Sequence, residues 1–405
     1  MPKKRIVITG VGVVSPIGIG KEQFWQSLKE GKSNFKPVAN FDTSGLKTNI
    51  AGEITGFEPK QLLGKAGLMD WDRASLFLSS AVKLALDDAG LEINAENTHD
   101  TGVSIGTTFG SLYSISEFDK EAVRDGPRLA NPTVFTSTVG NSPASRAGIK
   151  FGIKGFNSTI STGMCSSLDA IDYARDLMTL DKIKTVVSGA VEALSPQIFL
   201  GFYKLNYLSK ESCPFDRRRN GIILSEGAAA YILEEFEEAK KRKARAYAEI
   251  LGTGSAFDPA RFYKYNTKAT GMKEAMRVAL DDAGLKPENI DCIFANANST
   301  KEADLAETNA IKEVFGLYAQ KVPVTSIKST LGETYSASGG MNLVAAIGAL
   351  KDGFIPATTN LEKPDPACDL DYVTKAPRKA QLSRIMINAF GPNGENTVLI
   401  IGRAN

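Results

Sequence analysis

The stretch STISTGMCSSLDAIDYARD, residues 158–176, decides the fold class of this chain. It begins with β-branched and small residues, turns through Gly163, and continues with apolar residues at helical spacing. This pattern predicts a strand, a tight turn, and a helix whose first turn begins near Cys165. The apolar positions that define the buried face of this helix are Leu168, Ile171, Tyr173 and Leu177.

Cys165 is the candidate nucleophile of the chain. A thiol in the first turn of a helix lies close to unpaired backbone N–H groups and to the positive end of the helix dipole, which favours the thiolate. The alternative is a small buried apolar residue, which is the commoner role of an isolated cysteine. The rest of the sequence has to distinguish between these two interpretations.

Composition and charge narrow the class of protein. The 405 residues carry a formal net charge of +2 and are 42% hydrophobic and 23% charged, as in ordinary globular proteins. This balance gives no reason to expect nucleic acid or a membrane as a partner. No apolar run approaches the roughly 18 residues that a membrane-spanning helix needs, and we interpret the apolar N-terminal segment as a buried strand.

Cysteine and histidine usage excludes several familiar kinds of site. The 4 cysteines are scattered without a CxxC spacing, so the sequence predicts no disulfide framework, no metal site and no cofactor, and it fits a reducing cytoplasm. The single histidine, His99, lies in the polar run NAENTHD, which we interpret as a solvated loop. Catalysis by a Ser/His/Asp or Cys/His/Asn triad therefore lacks an obvious imidazole.

The remaining pattern alternates strands and helices. Continuous or alternating apolar runs predict strands at 5–14, 101–108 and 185–192. Apolar spacing and closing glycines predict helices from about residue 18 to Gly31 and over 74–88. Residues 34–70 and 109–145 are predicted to be irregular covering segments.

A repeated pattern relates the two halves of the chain. The segment LALDDAGL (84–91) recurs as VALDDAGL (278–285), and each copy is followed by a polar turn and an apolar strand, 102–106 or 292–296. In addition, SIKSTLGE (326–333) resembles the Cys165 segment, because it ends a strand and leads into a helix of small residues. The sequence therefore predicts two similar αβ halves packed face to face, with chemistry where their strand ends meet.

Five motifs make the chain resemble the β-ketoacyl-acyl-carrier-protein synthases of the thiolase fold, over its whole length. They are VITGVGVVSPIG (7–18), NSPAS (141–145), STGMCSSLDA (161–170), PFDRRRNGIILSEGAA (214–229) and KPDPACDLDYV (363–373). Within that family the chain is most similar to the elongating synthase II type and to the ketosynthases of type II polyketide systems.

The resemblance implies an architecture and a reaction. The architecture is α/β, with duplicated halves layered α-β-α-β-α, divided into an N-terminal half with the nucleophile (1–245) and a C-terminal half (246–405). The reaction is transfer of an acyl chain from acyl carrier protein to Cys165, followed by condensation with a malonyl unit that loses carbon dioxide. A dimer through the strand near 158–162 is expected, either with itself or with a related ketosynthase.

Three positions depart from the family pattern. Asn298 and Glu333 stand where the family has its two catalytic histidines, and Glu333 follows Lys328 as the second histidine would. In the oxyanion and gate region, Phe390, Gly391 and Pro392, the proline replaces a gating phenylalanine. Proline has no N–H, so only the N–H of Cys165 remains as an oxyanion donor unless the turn is rebuilt. Losing one donor costs roughly a hundredfold in rate.

These departures leave two interpretations of the site open. Asn298 could donate through its amide but cannot relay a proton, and an ionised Glu333 only accepts hydrogen bonds and would repel a malonyl carboxylate. A protonated Glu333 could donate, although a nearby Lys328 favours the charged form. Either Lys328 and Glu333 fill a retired active site, or Cys165 is acylated and Glu333 acts as acid or base.

Three functions follow from the sequence. The first is an acyltransferase that loads Cys165 from acyl carrier protein, with condensation unconventional or lost. The second is a non-catalytic partner that resembles the chain-length-factor subunits of true ketosynthases. The third, a carbon–carbon-cleaving or hydrolytic thiolase-fold enzyme, is disfavoured because Glu333 is its only candidate base. Basic residues at 217–219 and 240–245 are candidates for carrier-protein docking, the second being more often a solvated helix face.

Overall fold

The computed structural model of the chain describes residues 4–259 and 263–404. Its strands are β1 (Ile6–Ser15), β2 (Gly18–Ile19), β3 (Phe35–Pro37), β4 (Ile50–Gly52), β5 (Thr101–Gly106), β6 (Asn157–Ile160), β7 (Thr185–Glu192), β8 (Gly227–Glu235), β9 (Ala248–Phe257), β10 (Cys292–Phe294), β11 (Val324–Thr325), β12 (Phe354–Ile355), β13 (Arg378–Lys379), β14 (Arg384–Phe390) and β15 (Glu395–Gly402). Its helices are α1 (Lys21–Glu30), α2 (Pro59–Leu63), α3 (Arg73–Ala89), α4 (Leu112–Asp125), α5 (Pro132–Phe135), α6 (Ser142–Phe151), α7 (Ser166–Thr179), α8 (Pro196–Lys204), α9 (Phe236–Lys241), α10 (Thr270–Ala283), α11 (Lys301–Phe315), α12 (Lys328–Leu331) and α13 (Ser338–Asp352).

Strand β1 joins the two halves of the chain into one sheet. Over the described residues this sheet has 11 strands in the order β11-β10-β14-β15-β9-β1-β8-β7-β5-β6, with β2 paired to β1. Strand β1 is antiparallel to β8 along most of its length and to β9 at its start, where Ile6 pairs with Ile250 and Ile8 with Ala248. The sheets of the two halves are therefore continuous through backbone hydrogen bonds.

Helices cover both faces of this sheet. Helix α3 packs on β1 and β8, while α10 packs on β9 and β15. Helices α7 and α13 pack against each other between the halves, α7 on β5 and β7 and α13 on β14. Every residue of α13 from Ser338 to Leu350 is buried. The layered order predicted from the sequence is confirmed, with the two sheets joined at one place.

Close contacts between strand and helix recur in both halves. A Cβ atom added to Gly12 of β1 would lie 1.9 Å from the carbonyl oxygen of Ala81 in α3. In the second half, a Cβ added to Gly254 of β9 would lie 2.3 Å from a carbonyl oxygen of α10. Both helices end at a left-handed glycine, Gly90 or Gly284. Only glycine allows the helices to approach the strands this closely. The same contact between strand and helix in both halves confirms the predicted duplication.

Most predicted elements of the first half are present, and the prediction for one segment was wrong. The strands predicted at 5–14, 101–108 and 185–192 correspond to β1, β5 and β7, and the two predicted helices to α1 and α3. The segment 109–145, predicted as irregular, contains α4, α5 and the start of α6. Helix α4 lies at the periphery: none of its residues is fully buried and Val123 is 88% exposed, although Leu112 packs against a core cluster. Segment 34–70 holds only short elements, β3, β4 and α2.

Some individual residues also differ from expectation. Tyr173, predicted on the buried face of α7, is 40% exposed and contacts Phe156 edge-on. His99 is exposed in a turn, as predicted. The cysteines are free and buried. Within residues 4–259 and 263–404, none of the helices combines the length and apolar character required to cross a bilayer.

Candidate active site

Cys165 lies where the sequence predicted it, between a strand and a helix. Strand β6 ends at Ile160, a 3-10 turn spans Gly163–Cys165, and α7 begins at Ser166. The Ser166 hydroxyl donates to the Gly163 carbonyl at 2.7 Å and accepts the N–H of Thr162 at 2.9 Å. These two bonds fix the turn that carries the cysteine.

The surroundings of the Cys165 thiol favour its protonated form. Cys165 is fully buried, and its Sγ donates to the carbonyl oxygen of Ala389 at 3.0 Å. Burial, followed by the nearby carboxylates of Asp169 and Glu395, raises the pKa of the Cys165 thiol well above its ordinary value. The expectation that the helix start favours a thiolate is not met in this structure, because burial and the two nearby carboxylates favour the protonated thiol.

The backbone N–H of Cys165 is not free either. It donates to the carbonyl oxygen of Thr162 at 3.2 Å, closing the 3-10 turn. From the sequence, this N–H was expected to be the remaining oxyanion donor. In the structure that donor is already used, so an oxyanion would have to be bound by other groups.

Lys328 and Glu333 form a buried ion pair. Lys328 Nζ lies 2.8 Å from Glu333 Oε2, and the two side chains are 3% and 1% exposed. The other oxygen of Glu333 accepts the N–H of Tyr335 at 2.9 Å and the hydroxyl of Ser338. Lys328 Nζ also donates to Asn296 Oδ1 at 3.0 Å. The predicted contact is confirmed, and the carboxylate faces only donors, as suits its ionised form.

Asn298 presents its amide nitrogen to the site. Its Oδ1 accepts the N–H of Thr300 at 3.2 Å and the Thr300 hydroxyl at 2.8 Å. Its Nδ2 is thereby directed to the hydroxyl oxygen of Tyr265, at 3.4 Å. Because the oxygen end is occupied, Asn298 can offer only hydrogen-bond donors to a ligand.

Tyr265 connects Asn298 with the nucleophile region. Its hydroxyl donates to the carbonyl oxygen of Phe390 at 3.4 Å and lies 3.8 Å from Met164 Sδ. Burial raises the pKa of Tyr265, so the phenol stays protonated. This residue was missed from the sequence, because no motif surrounds it and its partners come from distant segments.

The predicted site residues fall into separate groups. Asn298 and Phe390 meet through Tyr265, whereas Lys328 and Glu333 meet directly. In the part of the chain that the structure describes, no hydrogen bond joins Cys165 to Asn298, Lys328 or Glu333.

The turn between β14 and β15 is rebuilt around Pro392. Gly391 N–H donates to the Glu395 carbonyl at 2.9 Å, and Gly394 N–H to the Gly391 carbonyl at 3.4 Å. Pro392 thus occupies the second position of a tight turn, where its fixed φ is suitable and no N–H is needed. The Glu395 carboxylate folds back to accept the N–H of Asn393 at 3.1 Å. Glu395 was also missed from the sequence, where its only signal is an acidic residue inside the altered motif.

A surface cleft of about 490 Å³ approaches this region. Its lining includes Tyr207, Tyr263, Tyr265 and Thr300. Tyr265 is 6% exposed, and its hydroxyl lies 3.8 Å from Met164 Sδ. Tyr265 therefore touches both the cleft and the turn that carries Cys165.

Comparison with known protein families gives a match in both halves of the chain. The family model "Beta-ketoacyl synthase, N-terminal domain" matches residues 3–239, and "Beta-ketoacyl synthase, C-terminal domain" matches residues 247–362. The chain belongs to the β-ketoacyl synthase family.

Individual relatives match over the full length. The 3-oxoacyl-[acyl-carrier-protein] synthase 2 of Coxiella burnetii is 36% identical, over 100% of this chain and 99% of its own. The solved ishigamide ketosynthase/chain length factor has a TM-score of 0.94 at 30% identity and covers 100% of both chains. A type II polyketide ketosynthase, solved with its acyl-carrier protein, has a TM-score of 0.91 at 28% identity and covers 99% of this chain and 100% of its own.

A buried carboxylate behind the site is a further feature of this β-ketoacyl synthase family member. Glu192, at the end of β7, accepts the hydroxyl of Thr107 and the N–H of Phe109, both at 3.1 Å, and the hydroxyl of Ser336. Burial raises the pKa of Glu192 to about 7. This side chain ties the loop after β5 to the 3-10 turn Tyr335–Ala337 beside the site.

One predicted docking residue of this synthase homologue is internal. Arg219 is 2% exposed and donates to Asp365 Oδ2 at 2.7 Å. It stabilises the fold and is not available to a partner, so its assignment to a docking patch was wrong. Arg217 is exposed. In the second basic stretch, 240–245, Arg242 is paired with Glu234.

Proposed function

We propose that this chain is an acyltransferase of the β-ketoacyl synthase family that accepts an acyl group on Cys165 from acyl carrier protein, with impaired decarboxylative condensation. The observation that carries this proposal is the position of Cys165. It lies at the N-terminus of α7, in a turn held by Ser166, and the preceding residue Met164 contacts Tyr265, which lines a surface cleft.

The transfer step uses few groups. The Cys165 sulfur attacks the thioester carbonyl, a new carbon–sulfur bond forms, the carrier's carbon–sulfur bond breaks, and the thiol proton ends on the leaving sulfur. Because burial keeps Cys165 protonated, its proton has to leave as the sulfur attacks. Rotation of the side chain away from the Ala389 carbonyl, 3.0 Å from Sγ, precedes the attack.

Condensation lacks suitable groups in this arrangement. Asn298 can donate to a thioester oxygen through Nδ2, but it is neutral and transfers no proton. Glu333 accepts hydrogen bonds from Lys328 and Ser338 and has no proton to give in its ionised form. A carboxylate there opposes both a malonyl carboxylate and the enolate that follows decarboxylation.

The same proposal includes two partners, acyl carrier protein and a second subunit. The acyl donor is acyl carrier protein, as expected for a relative of a ketosynthase solved with its carrier. The exposed Arg217 is a candidate contact for an acidic carrier protein. Strand β6 lies at one end of the sheet, where pairing with a second subunit, identical or a related ketosynthase, would continue the sheet.

The test is a mass measurement on the intact protein. After incubation with acyl carrier protein thioesters of short, medium and long chains, we expect a mass gain of one acyl group. The gain should be absent in Cys165→Ala and retained in Cys292→Ala, which removes another buried cysteine. A wild-type protein that gains no mass at Cys165 with any chain length would refute the proposal.

A second candidate is a non-catalytic partner of a ketosynthase. The observations that favour it are the closed Lys328–Glu333 pair, 3% and 1% exposed, and the complete burial of Cys165. One of the similar solved structures is a ketosynthase/chain length factor. Co-expression with candidate ketosynthases decides: a stable heterodimer without acylation of Cys165 supports this role, whereas an acylated homodimer excludes it.

A further inference from the structure

The carboxylate of Glu395 is bound by two different segments of the active site. Its Oε2 accepts the N–H of Asn393 at 3.1 Å, and its Oε1 accepts the N–H of Met164 at 3.4 Å. Asn393 belongs to the β14–β15 turn, while Met164 directly precedes Cys165. Backbone N–H groups from two segments that converge on one carboxylate are a common construction of an anion site.

Two glycines make room for this carboxylate. A Cβ atom added to Gly163 would lie 2.2 Å from Glu395 Oε1, and one added to Gly391 would lie 1.8 Å from the same oxygen. Real Cβ atoms do not approach an oxygen this closely, so any side chain at either position would displace the carboxylate. The backbone on both sides of the nucleophile turn therefore leaves room for a carboxylate at this place.

Cys165 and Pro392 themselves supply no free N–H to this point. The N–H of Cys165 is bonded to the Thr162 carbonyl at 3.2 Å, and Pro392 has no N–H to offer. Met164 and Asn393 are the neighbouring residues of these two positions, and their N–H groups both point at Glu395. The available N–H donors thus lie one residue away from Cys165 on one segment and one residue away from Pro392 on the other.

We infer that the N–H groups of Met164 and Asn393 form the oxyanion site of this protein, and that Glu395 fills it at rest. This inference rests on the proposed acyl transfer to Cys165. When a thioester enters, its carbonyl oxygen replaces the Glu395 carboxylate, and the charge that develops on that oxygen is held by the same two donors.

Glu395 in this position also restrains the nucleophile. Its carboxylate and that of Asp169 lie close enough to Cys165 to oppose thiolate formation. Asp169 is held by the hydroxyl of Thr397, at 2.6 Å, and by that of Thr162. Asp169 is therefore a matched control: it is a second carboxylate near the thiol that does not occupy the Met164–Asn393 donors.

The test measures alkylation of Cys165 by iodoacetamide, with and without sodium acetate at constant ionic strength. In Glu395→Ala the two N–H groups are vacant and acetate can replace the lost carboxylate. We expect Glu395→Ala to be alkylated about tenfold faster than wild type, because loss of a nearby negative charge that lowers the pKa of the Cys165 thiol by about one unit raises the thiolate fraction tenfold. Acetate should return its rate towards the wild-type value, and should leave wild type and Asp169→Asn unchanged.

Glu395→Gln is the second variant, since it keeps the shape of the side chain and removes its charge. It should react faster than wild type and show no response to acetate, because its amide still fills the site. The inference is overturned if acetate does not slow Glu395→Ala, if it slows Asp169→Asn equally, or if Glu395→Gln reacts at the wild-type rate. If acetate protects Glu395→Ala while no variant accepts an acyl group, the anion site stands and the proposed acyl transfer fails.

Discussion

Removing one member of the Lys328–Glu333 pair should be far more damaging than removing both. In Glu333→Ala the ammonium group of Lys328, 3% exposed, loses its partner at 2.8 Å and keeps only Asn296 Oδ1 at 3.0 Å. An uncompensated buried charge of this kind typically costs about 3–5 kcal/mol. The N–H of Tyr335 also loses its acceptor, which places the expected loss in the upper part of that range.

The double variant Lys328→Met/Glu333→Leu is the matched control. It removes both charges and keeps most of the buried volume, although the Tyr335 N–H again loses its acceptor, so the free energy of unfolding should fall by no more than about 2 kcal/mol. Urea unfolding at one fixed protein concentration, followed by tryptophan fluorescence and circular dichroism, measures the difference. The reasoning is refuted if Glu333→Ala lies within about 1 kcal/mol of wild type, or if the double variant loses as much as the single one.

Three further outcomes are expected. The folded protein holds the Glu192 proton more tightly than the unfolded chain does, because the pKa of Glu192 is raised from 4.5 to about 7. The resulting stabilisation of the folded state is complete below pH 4.5. It is lost as the pH rises to about 7, a fall of about 3 kcal/mol that Glu192→Gln should remove. Gly12→Ala places a Cβ 1.9 Å from the Ala81 carbonyl and should destabilise by about 3 kcal/mol. Iodoacetamide should label Cys165 slowly at neutral pH, with a rate still rising above pH 9, since its thiol pKa is raised.

Each of these outcomes has its own control. For the glycine, Gly201→Ala changes a helical position with nothing within 4 Å, and it should be neutral or slightly stabilising; equal losses in both variants would contradict the close-contact argument. For Glu192, an unchanged slope of stability against pH in Glu192→Gln would assign that slope to other groups. For Cys165, a labelling rate that is half-maximal at or below about pH 8.5 would show a thiol with an ordinary or lowered pKa.

Local sequence signals predicted the elements that carry the nucleophile. The helix stops at Gly31, Gly90 and Gly284 were readable because a left-handed cap requires a residue without Cβ. The Lys328–Glu333 contact was also predictable, since the two residues are five positions apart across one turn. Such features depend on neighbours along the chain.

The chemical state of the site was not predictable in the same way. The raised pKa of the Cys165 thiol follows from burial and from Glu395, which is 230 positions further along the chain. The link from Asn298 to Phe390 runs through Tyr265, so it depends on three distant segments meeting. Motif spacing identifies which residues approach a site, but the hydrogen bonds that occupy each donor are fixed only by the tertiary arrangement.

The shared strand β1 limits how this molecule can admit a substrate. Ile6 and Ile8 of β1 pair with Ile250 and Ala248 of β9, and β1 also pairs with β8 along most of its length. A hinge motion that separated the two halves would therefore break backbone hydrogen bonds of β1. Access to the Cys165 sulfur therefore requires movement of individual side chains and of the β14–β15 turn, while the sheet stays intact.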